Sequence, residues 1–408
     1  MNAPSPVPRL FGEEFAARPD VAYQQLRQSG PVATAEIAQG VYALVVTSHR
    51  AAVALLNDTA VFSKDSRNWT ALNQGWIPQD SPVLALMAYR PSLLYADGAQ
   101  HARLRQAMDD CLARIDVHEL RETTHRHASR LIARIAPTGH AELMRDFADT
   151  LPLLVFVDIL GCPAQLVSRM VTACQGVIGA DAGAMQAAAD FAACLAELIA
   201  AKKEMPGRDV TSWMLAHPSQ LTDEEVLHQL FCFVGAGTIP TAAWIASTLR
   251  LIQDDDSYAT RLTAGAVTVR GAMDHTLWTC SPMANFSAHY ARWETLLHGV
   301  PIPAGVPVLI SHAATGTDPA LPDLGPDNRA HLAWSAGPHR CPADNQAGVI
   351  AQTAIEALLD QLWDLELTDP TVPNRPGPFH QCPAALPARF HPAPADALTS
   401  TAPTGGTG

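Results

Sequence analysis

Apolar residues recur at intervals of three and four over most of the chain, which is the spacing of amphipathic helices. This pattern runs through residues 101–216, with short breaks at 137, 161–163 and 206–207. A second long apolar run follows the letters TDEE at 222–225, which form a capping box, and continues towards residue 251. The pattern therefore predicts several helices in the first region and one long helix in the second.

Strand patterns are fewer and shorter. The letters VYALVVT at 41–47 are typical of a strand, and a helix is predicted directly after it at 48–56. A strand-rich stretch is predicted around 300–310, between a helix near 267–278 and the last long helix at 344–362. The expected fold class is therefore mainly α with a small β-rich part.

Proline-rich segments lie at both ends of the chain and in one internal stretch. Residues 1–19 are expected to be irregular, 20–392 to form a single domain, and 393–408 to be a disordered tail. Residues 70–97 are broken by prolines and a glycine, so a long covering loop is predicted there.

Composition excludes several classes of protein. The net charge of −13 argues against non-specific binding of nucleic acid, and 48% hydrophobic against 16% charged residues indicates a well-buried globular chain. Eight cysteines without a C-x-x-C pair signal neither a zinc site nor a disulfide framework. The most apolar stretch, 151–160, is too short to span a bilayer. A cytoplasmic protein without a membrane anchor is therefore expected.

The segment at 334–343 reads WSAGPHRCPA and places a cysteine just before the last predicted helix. Gly and Pro at 337–338 predict a tight turn, and Pro342 suits the first position of a helix. The Cys341 sulfur is then expected at a helix N-terminus, where backbone amides, the helix dipole and the basic residues at 339–340 favour the thiolate. A thiolate is the ligand that a haem iron needs for cleavage of an O–O bond.

This segment resembles the haem-binding loop of the cytochrome P450 family, written F-G-x-G-x-H-x-C-x-G/A. The matching residues are Gly337, His339, Cys341 and Ala343, while Trp334 stands at the Phe position and Ser335 at the first Gly. The resemblance extends over about 20–392. It implies a cytochrome P450-like haem-thiolate fold, haem b as the cofactor, and Cys341 as the ligand of its iron.

Basic residues elsewhere match the family's contacts to the haem propionates. His101 and Arg105 are four apart and correspond to H-x-x-x-R, although a solvated helix face gives the same spacing. His339 is a third candidate. The Arg that the family carries after its late helix aligns with His289, so His289 or the nearby Arg292 is expected to take that role.

The long helix departs from the family pattern A-G-x-E/D-T-T. Ala236, Gly237 and Thr241 match it, but Ile239 replaces the acid and Pro240 replaces the first Thr, the two residues that normally help to deliver protons during oxygen activation. Neither replacement can donate a proton.

Pro240 also changes the backbone of this helix. Because it has no N–H, the carbonyl of Ala236 loses its helical partner and a kink is expected. Proton delivery then falls to Thr238, to Thr241, to a water held by that carbonyl or to the substrate itself. A merely structural bend remains the alternative.

A late helix departs as well, since the family's E-x-x-R ion pair falls on HTLW at 275–278, preceded by Asp274. The segment is similar to a minority branch of bacterial members that lack this pair. Packing by Trp278, with its indole N–H on a backbone acceptor, is expected to replace it.

Two classes of function follow. The first is a haem-thiolate oxidase or monooxygenase that acts on an apolar or mixed small molecule, with a ferredoxin-type redox partner or with peroxide. The second is a haem-binding carrier, sensor or scaffold without turnover. Partner docking is predicted at positive charge near the cysteine loop, from Arg329, His331, His339 and Arg340.

Overall fold

The computed structural model describes residues 7–179, 184–254, 264–265, 268–322, 328–369 and 371–394. The predicted disordered tail lies almost entirely outside these residues.

Helices make up most of the described chain. In the N-terminal third they are α1 (Gly12–Ala17), α2 (Pro19–Ser29), α3 (His49–Asn57), α4 (Thr70–Asn73), α5 (Leu84–Met87), α6 (Gly98–Ala113) and α7 (Val117–Ile135). The central part contains α8 (Thr150–Ile159), α9 (Ala164–Gly179), α10 (Ala184–Glu204), α11 (Val210–Leu215) and α12 (Asp223–Asp254). The C-terminal part contains α13 (Val269–Thr279), α14 (His312–Gly316) and α15 (Asp344–Gln361).

The strands are short and form three small sheets. In chain order they are β1 (Val32–Ala38), β2 (Val41–Val46), β3 (Phe62–Ser63), β4 (His140–Glu142), β5 (Asn285–Ala291), β6 (Thr295–Leu297), β7 (Val300–Ile302), β8 (Pro307–Ser311), β9 (Glu366–Leu367) and β10 (Pro387–Arg389). The largest sheet has the order β1-β2-β8-β5-β3, in which only β2 and β8 are parallel. The prediction of a mainly α fold with a small β-rich part is confirmed.

Helix α12 runs through the main hydrophobic core and packs against α8, α10, α13 and α15. Its start is the predicted capping box: Thr222 accepts from the Glu225 amide at 3.2 Å, and Glu225 accepts from the Thr222 amide at 2.9 Å. The residues Asp223–Gln253 are long and apolar enough to cross a membrane, but 61% of the most apolar window is buried inside the protein. Such burial is typical of a core helix.

The N-terminal segment differs from its prediction. Residues 12–17 form α1 instead of irregular chain, and Leu10 and Phe15 are buried in a second core beneath the largest sheet. Backbone hydrogen bonds tie this segment to β1, from Leu10 to the Glu36 carbonyl and from Glu36 to the Pro8 carbonyl, each 2.9 Å long. Proline content indicated disorder, whereas two large apolar side chains supply enough burial to order the segment. The single domain at 20–392 stays a prediction.

The covering loop at 70–97 contains only short helical turns between irregular stretches, as its prolines predict. Met87 is buried within it, whereas Trp76 lies on the outer surface and is 72% exposed.

Candidate active site

The cysteine loop is shaped by its backbone. The amide of Cys341 donates to the carbonyl of Trp334 at 2.8 Å, and the amide of Arg340 donates to that of Gly337 at 3.0 Å. Gly337 has a φ of 66°, and a Cβ there would lie 2.3 Å from the Leu56 carbonyl oxygen. No residue except glycine fits this turn.

The Cys341 sulfur accepts one hydrogen bond, from the amide of Ala343 at 3.4 Å. Helix α15 begins at Asp344 with Ala343 as its N-cap, so Pro342 precedes the cap and the expectation that it occupies the first helical position is wrong. Burial raises the pKa of Cys341 to about 11, although the Ala343 amide acts in the opposite direction. The Ala343 amide and Arg340 lower the pKa of Cys341 as predicted, but burial outweighs them and favours the thiol in the protein alone. A bound cationic metal would favour the thiolate.

One side of helix α12 keeps accessible surface inside the protein. Four residues at helical spacing keep accessible surface on it: Cys232, Gly235, Ala236 and Ile239. A Cβ added at Gly235 would meet no atom within 4 Å. Burial raises the pKa of Cys232 to about 11, and Cys341 is among the groups that raise it further. The accessible stripe therefore lies on the side of α12 that approaches the Cys341 sulfur.

Gly237, which matches the family pattern, and Thr238, a candidate proton donor, both make contacts that fix the local structure of α12. A Cβ at Gly237 would lie 2.0 Å from the ring of Phe156, so glycine allows α8 and α12 to approach closely. The hydroxyl of Thr238 donates to the carbonyl of Val234 at 2.8 Å, inside its own helix.

The other α12 residues at or beside the family pattern A-G-x-E/D-T-T differ in exposure. Thr241 is buried, whereas Ile239 and Pro240 are half-buried. The helix continues without interruption through Pro240. The prediction that residues of this part of α12 take part in catalysis is not tested by these contacts.

Two histidines meet at the cysteine loop. The rings of His101 and His339 have centroids 4.0 Å apart, and His101 Nε2 and His339 Nδ1 are buried without a hydrogen-bond partner. Burial lowers the pKa of both rings, for His339 to about 2. In the protein alone burial therefore favours the neutral form of both rings, and contact of His101 and His339 with a propionate stays a prediction. Two unpartnered ring nitrogens are polar groups that an additional acceptor or donor would satisfy.

The remaining basic candidates have protein partners. Arg105 donates to the carbonyls of Pro338 and Arg340 at 3.0 and 2.7 Å, and its Nε donates to Asp109 at 2.7 Å. It therefore connects α6 to the cysteine loop. Its contact with a propionate stays a prediction.

The two residues considered in place of the family's Arg are also engaged. Arg292 donates to Asp97 at 2.8 Å. The ring nitrogen Nδ1 of His289 lies 3.1 Å from the Ser287 carbonyl, and burial together with the charge of Lys64 lowers the pKa of His289 well below its ordinary value. Neither assignment to a propionate is tested by these contacts.

Helix α13 keeps an ion pair at shifted positions. The Asp274 carboxylate, 4% exposed, accepts from Arg329 at 2.9 Å and lies 3.2 Å from Arg270 Nε, although without hydrogen-bond geometry to the latter. Trp278 donates its indole N–H to the Asn328 carbonyl at 2.7 Å, as predicted. An acid-arginine link therefore still ties this helix to the segment before the cysteine loop, and the sequence analysis missed Arg270 in it.

The predicted positive docking patch is largely neutralised. Arg329 is paired with Asp274, and Arg340 is paired with Asp344. Burial lowers the pKa of His331 to about 4 and that of His339 to about 2. Arg329 and Arg340 therefore remain exposed guanidinium groups that are each paired with one carboxylate, while burial favours the neutral form of both imidazoles. Docking of a redox partner at this surface stays a prediction.

The donor set fits a haem group better than an isolated metal ion. Among the described residues, no three His, Cys, Asp or Glu side chains come together as metal ligands, which leaves Cys341 as a single thiolate donor. An apolar stripe faces that sulfur, and unpartnered imidazoles lie at the edge. One thiolate, an apolar cavity and a polar rim match an iron porphyrin with its two carboxylates.

No protein-family model matches the chain. It is 29% identical over 374 residues to the cytochrome P450 monooxygenase PikC of Streptomyces venezuelae, covering 88% of this chain and 87% of that one. It is 27% identical over 360 residues to 2-hydroxy-5-methyl-1-naphthoate 7-hydroxylase of Streptomyces carzinostaticus, covering 84% and 87% of the two chains.

Solved structures resemble the fold over nearly the whole chain. CYP154C4 from Streptomyces sp. W2061 matches with a TM-score of 0.85 and 26% identity, covering 94% of this chain and 97% of that one. CYP154A1 from Streptomyces coelicolor A3(2) matches with a TM-score of 0.82 and 25% identity, covering 92% and 98%. Fold and site together define a haem-thiolate oxidoreductase that uses haem b. The chain belongs to the cytochrome P450 family and resembles its bacterial members.

Proposed function

We propose that this chain is a monooxygenase that inserts oxygen into an apolar or mixed small molecule, with electrons from a ferredoxin-type partner. The observation that carries the proposal is that the Cys341 sulfur lies close to the accessible side of α12, where it acts electrostatically on Cys232. The relatives support it, because they include the naphthoate hydroxylase and PikC described above and a mycinamicin IV hydroxylase/epoxidase.

Each side of the cavity has its own part in the proposed mechanism. Cys341 would hold the iron, and the ring nitrogens of His101 and His339, which are buried without a partner, would hydrogen-bond the propionates. When bound, the haem supplies the activation of dioxygen. The α12 stripe at Gly235, Ala236 and Ile239 contacts the apolar part of the substrate and excludes bulk water.

Proton delivery is the atypical step of the proposal. Ile239 and Pro240 have no proton to give, and the Thr238 hydroxyl is directed to the Val234 carbonyl. The Ala236 carbonyl lacks its helical N–H because of Pro240, and Ala236 is exposed towards the cavity. We assign the relay to a water bound at this carbonyl, with Thr241 or a substrate hydroxyl as the other sources.

The first experiment is an optical titration of the purified protein. Reduction under carbon monoxide gives the red-shifted band of thiolate-bound haem if the site is assigned correctly. A library of aromatic and macrocyclic compounds is then screened for spectral shifts, and binders are incubated with a ferredoxin and its reductase. Oxygenated product supports the monooxygenase. Tight binding without product under electron supply or peroxide overturns it and favours the carrier or sensor.

A further inference from the structure

Lys64 is a buried lysine close enough to Cys232, His101 and His289 to interact with them electrostatically. It is 3% exposed, its ammonium donates to the Ala288 carbonyl at 2.9 Å and to the Ser287 hydroxyl, and it lies 5.9 Å from the centre of the Phe286 ring. In the described part of the chain, its Nζ forms no ion pair with a carboxylate. A buried charge of this kind costs several kcal/mol unless an opposite charge compensates it.

The nearest acid does not provide that compensation through a direct contact. Asp97 is engaged by the backbone amide of Lys64 at 3.0 Å, by the Ser63 hydroxyl and by Arg292 at 2.8 Å. An ammonium has three N–H donors, and two are used by Ala288 and Ser287. One donor is therefore available for an anion.

The strand register places Lys64 beside His289. Strands β3 and β5 are antiparallel, with Ser63 opposite Tyr290. Lys64 follows Ser63, and His289 precedes Tyr290, so the two are the next opposed residues and project from the same face of the sheet. Position 289 is where the family pattern has the arginine that pairs with a propionate.

The imidazoles around Lys64 provide no competing positive charge. Burial lowers the pKa of His289 and of His101, and the charge of Lys64 contributes to the lowering in both. Burial also lowers the pKa of Lys64, to about 7, while Asp97 acts to raise it. The cluster thus combines one buried ammonium with neutral rings, and buried ring nitrogens of His101 and His339 have no partner. The Lys64 ammonium and the unpartnered ring nitrogens could together donate hydrogen bonds to one carboxylate.

We infer that Lys64 binds a haem propionate and supplies, from the opposite strand, the positive charge that His289 does not carry. This inference rests on the haem assignment of the proposed function. The competing explanation is that Lys64 only connects β3 to β5 through Ser287 and Ala288.

Haem retention separates the two explanations. Loss of haem to excess apomyoglobin is measured for the wild type, Lys64→Met and, as a matched control, Lys202→Met, which removes a part-buried lysine paired with Asp209 at 2.7 Å. Each protein is loaded either with haem b or with its dimethyl ester, which has no propionate charge. Lys64→Met is expected to release haem b about tenfold faster, the effect of one charge-assisted hydrogen bond. The dimethyl ester is expected to leave at the wild-type rate.

Two further variants show whether misfolding, and not loss of the charge, causes the faster loss of haem. Lys64→Gln keeps donors for the Ala288 carbonyl without the charge, and it should show the same haem b defect. Adding His289→Arg to Lys64→Met should restore retention of haem b. Equal acceleration with both haems, or no acceleration with haem b, overturns the inference. A wild-type protein that takes up no haem would instead overturn the proposed function.

Discussion

The cysteine loop and helix α12 border the same cavity but differ in how far they depart from the family pattern. The loop keeps its turn, its cysteine and the amide that contacts the sulfur, all set by backbone geometry at Gly337, Cys341 and Ala343. Helix α12 keeps its close approach to α8 but has lost both proton-donating side chains. Backbone geometry at a metal ligand has few alternatives, whereas a proton can arrive from any hydroxyl or water.

The largest effect is expected from Cys341→Ser, which removes the thiolate while leaving the turn intact. The red-shifted carbonyl band should disappear from the reduced spectrum because a hydroxyl does not supply the same ligand field. Cys162→Ser, at a half-buried cysteine between α8 and α9, is the control and should keep the band. An unchanged spectrum in the Cys341 variant would mean that another residue binds the iron.

The retained packing of α12 is tested at two glycines two residues apart. Gly237→Ala forces a methyl group into the Phe156 ring and is expected to cost about 2–3 kcal/mol. Gly235→Ala meets no atom within 4 Å and should be neutral or stabilising by up to about 1 kcal/mol. Thermal unfolding of both haem-loaded variants measures the difference. Equal melting temperatures would show that the close approach of α8 does not depend on Gly237.

A smaller loss of stability is expected from a change at Asp274, where α13 contacts the segment before the cysteine loop. Asp274→Asn weakens the contact with Arg329 and should lower stability by about 1.5 kcal/mol, the value of a hydrogen bond to a charged group. Glu197→Gln, in an exposed ion pair with Arg169, should lower stability much less because solvent screens that pair. Urea unfolding of the two variants provides the comparison. A larger loss in the Glu197 variant would contradict the role given to Asp274.

Local chemistry made the cysteine loop predictable. A glycine turn, a cysteine and the start of a helix lie within ten residues, and their meaning does not depend on the rest of the fold. The Asp274–Arg329 pair joins residues 55 positions apart, and the Lys64–Ala288 contact joins residues 224 apart. Neither follows from periodicity, because strand register and loop path determine them. The low pKa of His339 could not be predicted from the sequence, because burial of its ring is also a tertiary property.

The smallest expected effect concerns proton delivery by α12, the function in which this helix departs from the family pattern while the cysteine loop keeps it. Ile239→Glu together with Pro240→Thr restores the acid and hydroxyl of the family pattern on a helix whose packing is otherwise kept. The fraction of consumed electrons that appears in product should rise several-fold with dioxygen, because general acid catalysis by a placed side chain is worth at least that much. Peroxide-driven turnover brings its own protons and should gain much less.

The control for this experiment is Thr238→Ala with Thr241→Ala in the wild-type helix. The Thr238 hydroxyl already donates to the Val234 carbonyl, so removing this hydroxyl should leave coupling unchanged. Lower coupling in the double variant would therefore be due to the loss of the Thr241 hydroxyl. High coupling that persists in this variant leaves a water at the Ala236 carbonyl or a substrate hydroxyl as the donor. Repeating the measurement with a substrate that has no exchangeable proton separates these two, since only the water at Ala236 would then sustain turnover. Full coupling in the wild type, with no gain from the restored acid and hydroxyl, would mean that the proline-bearing helix delivers protons as well as the family pattern does.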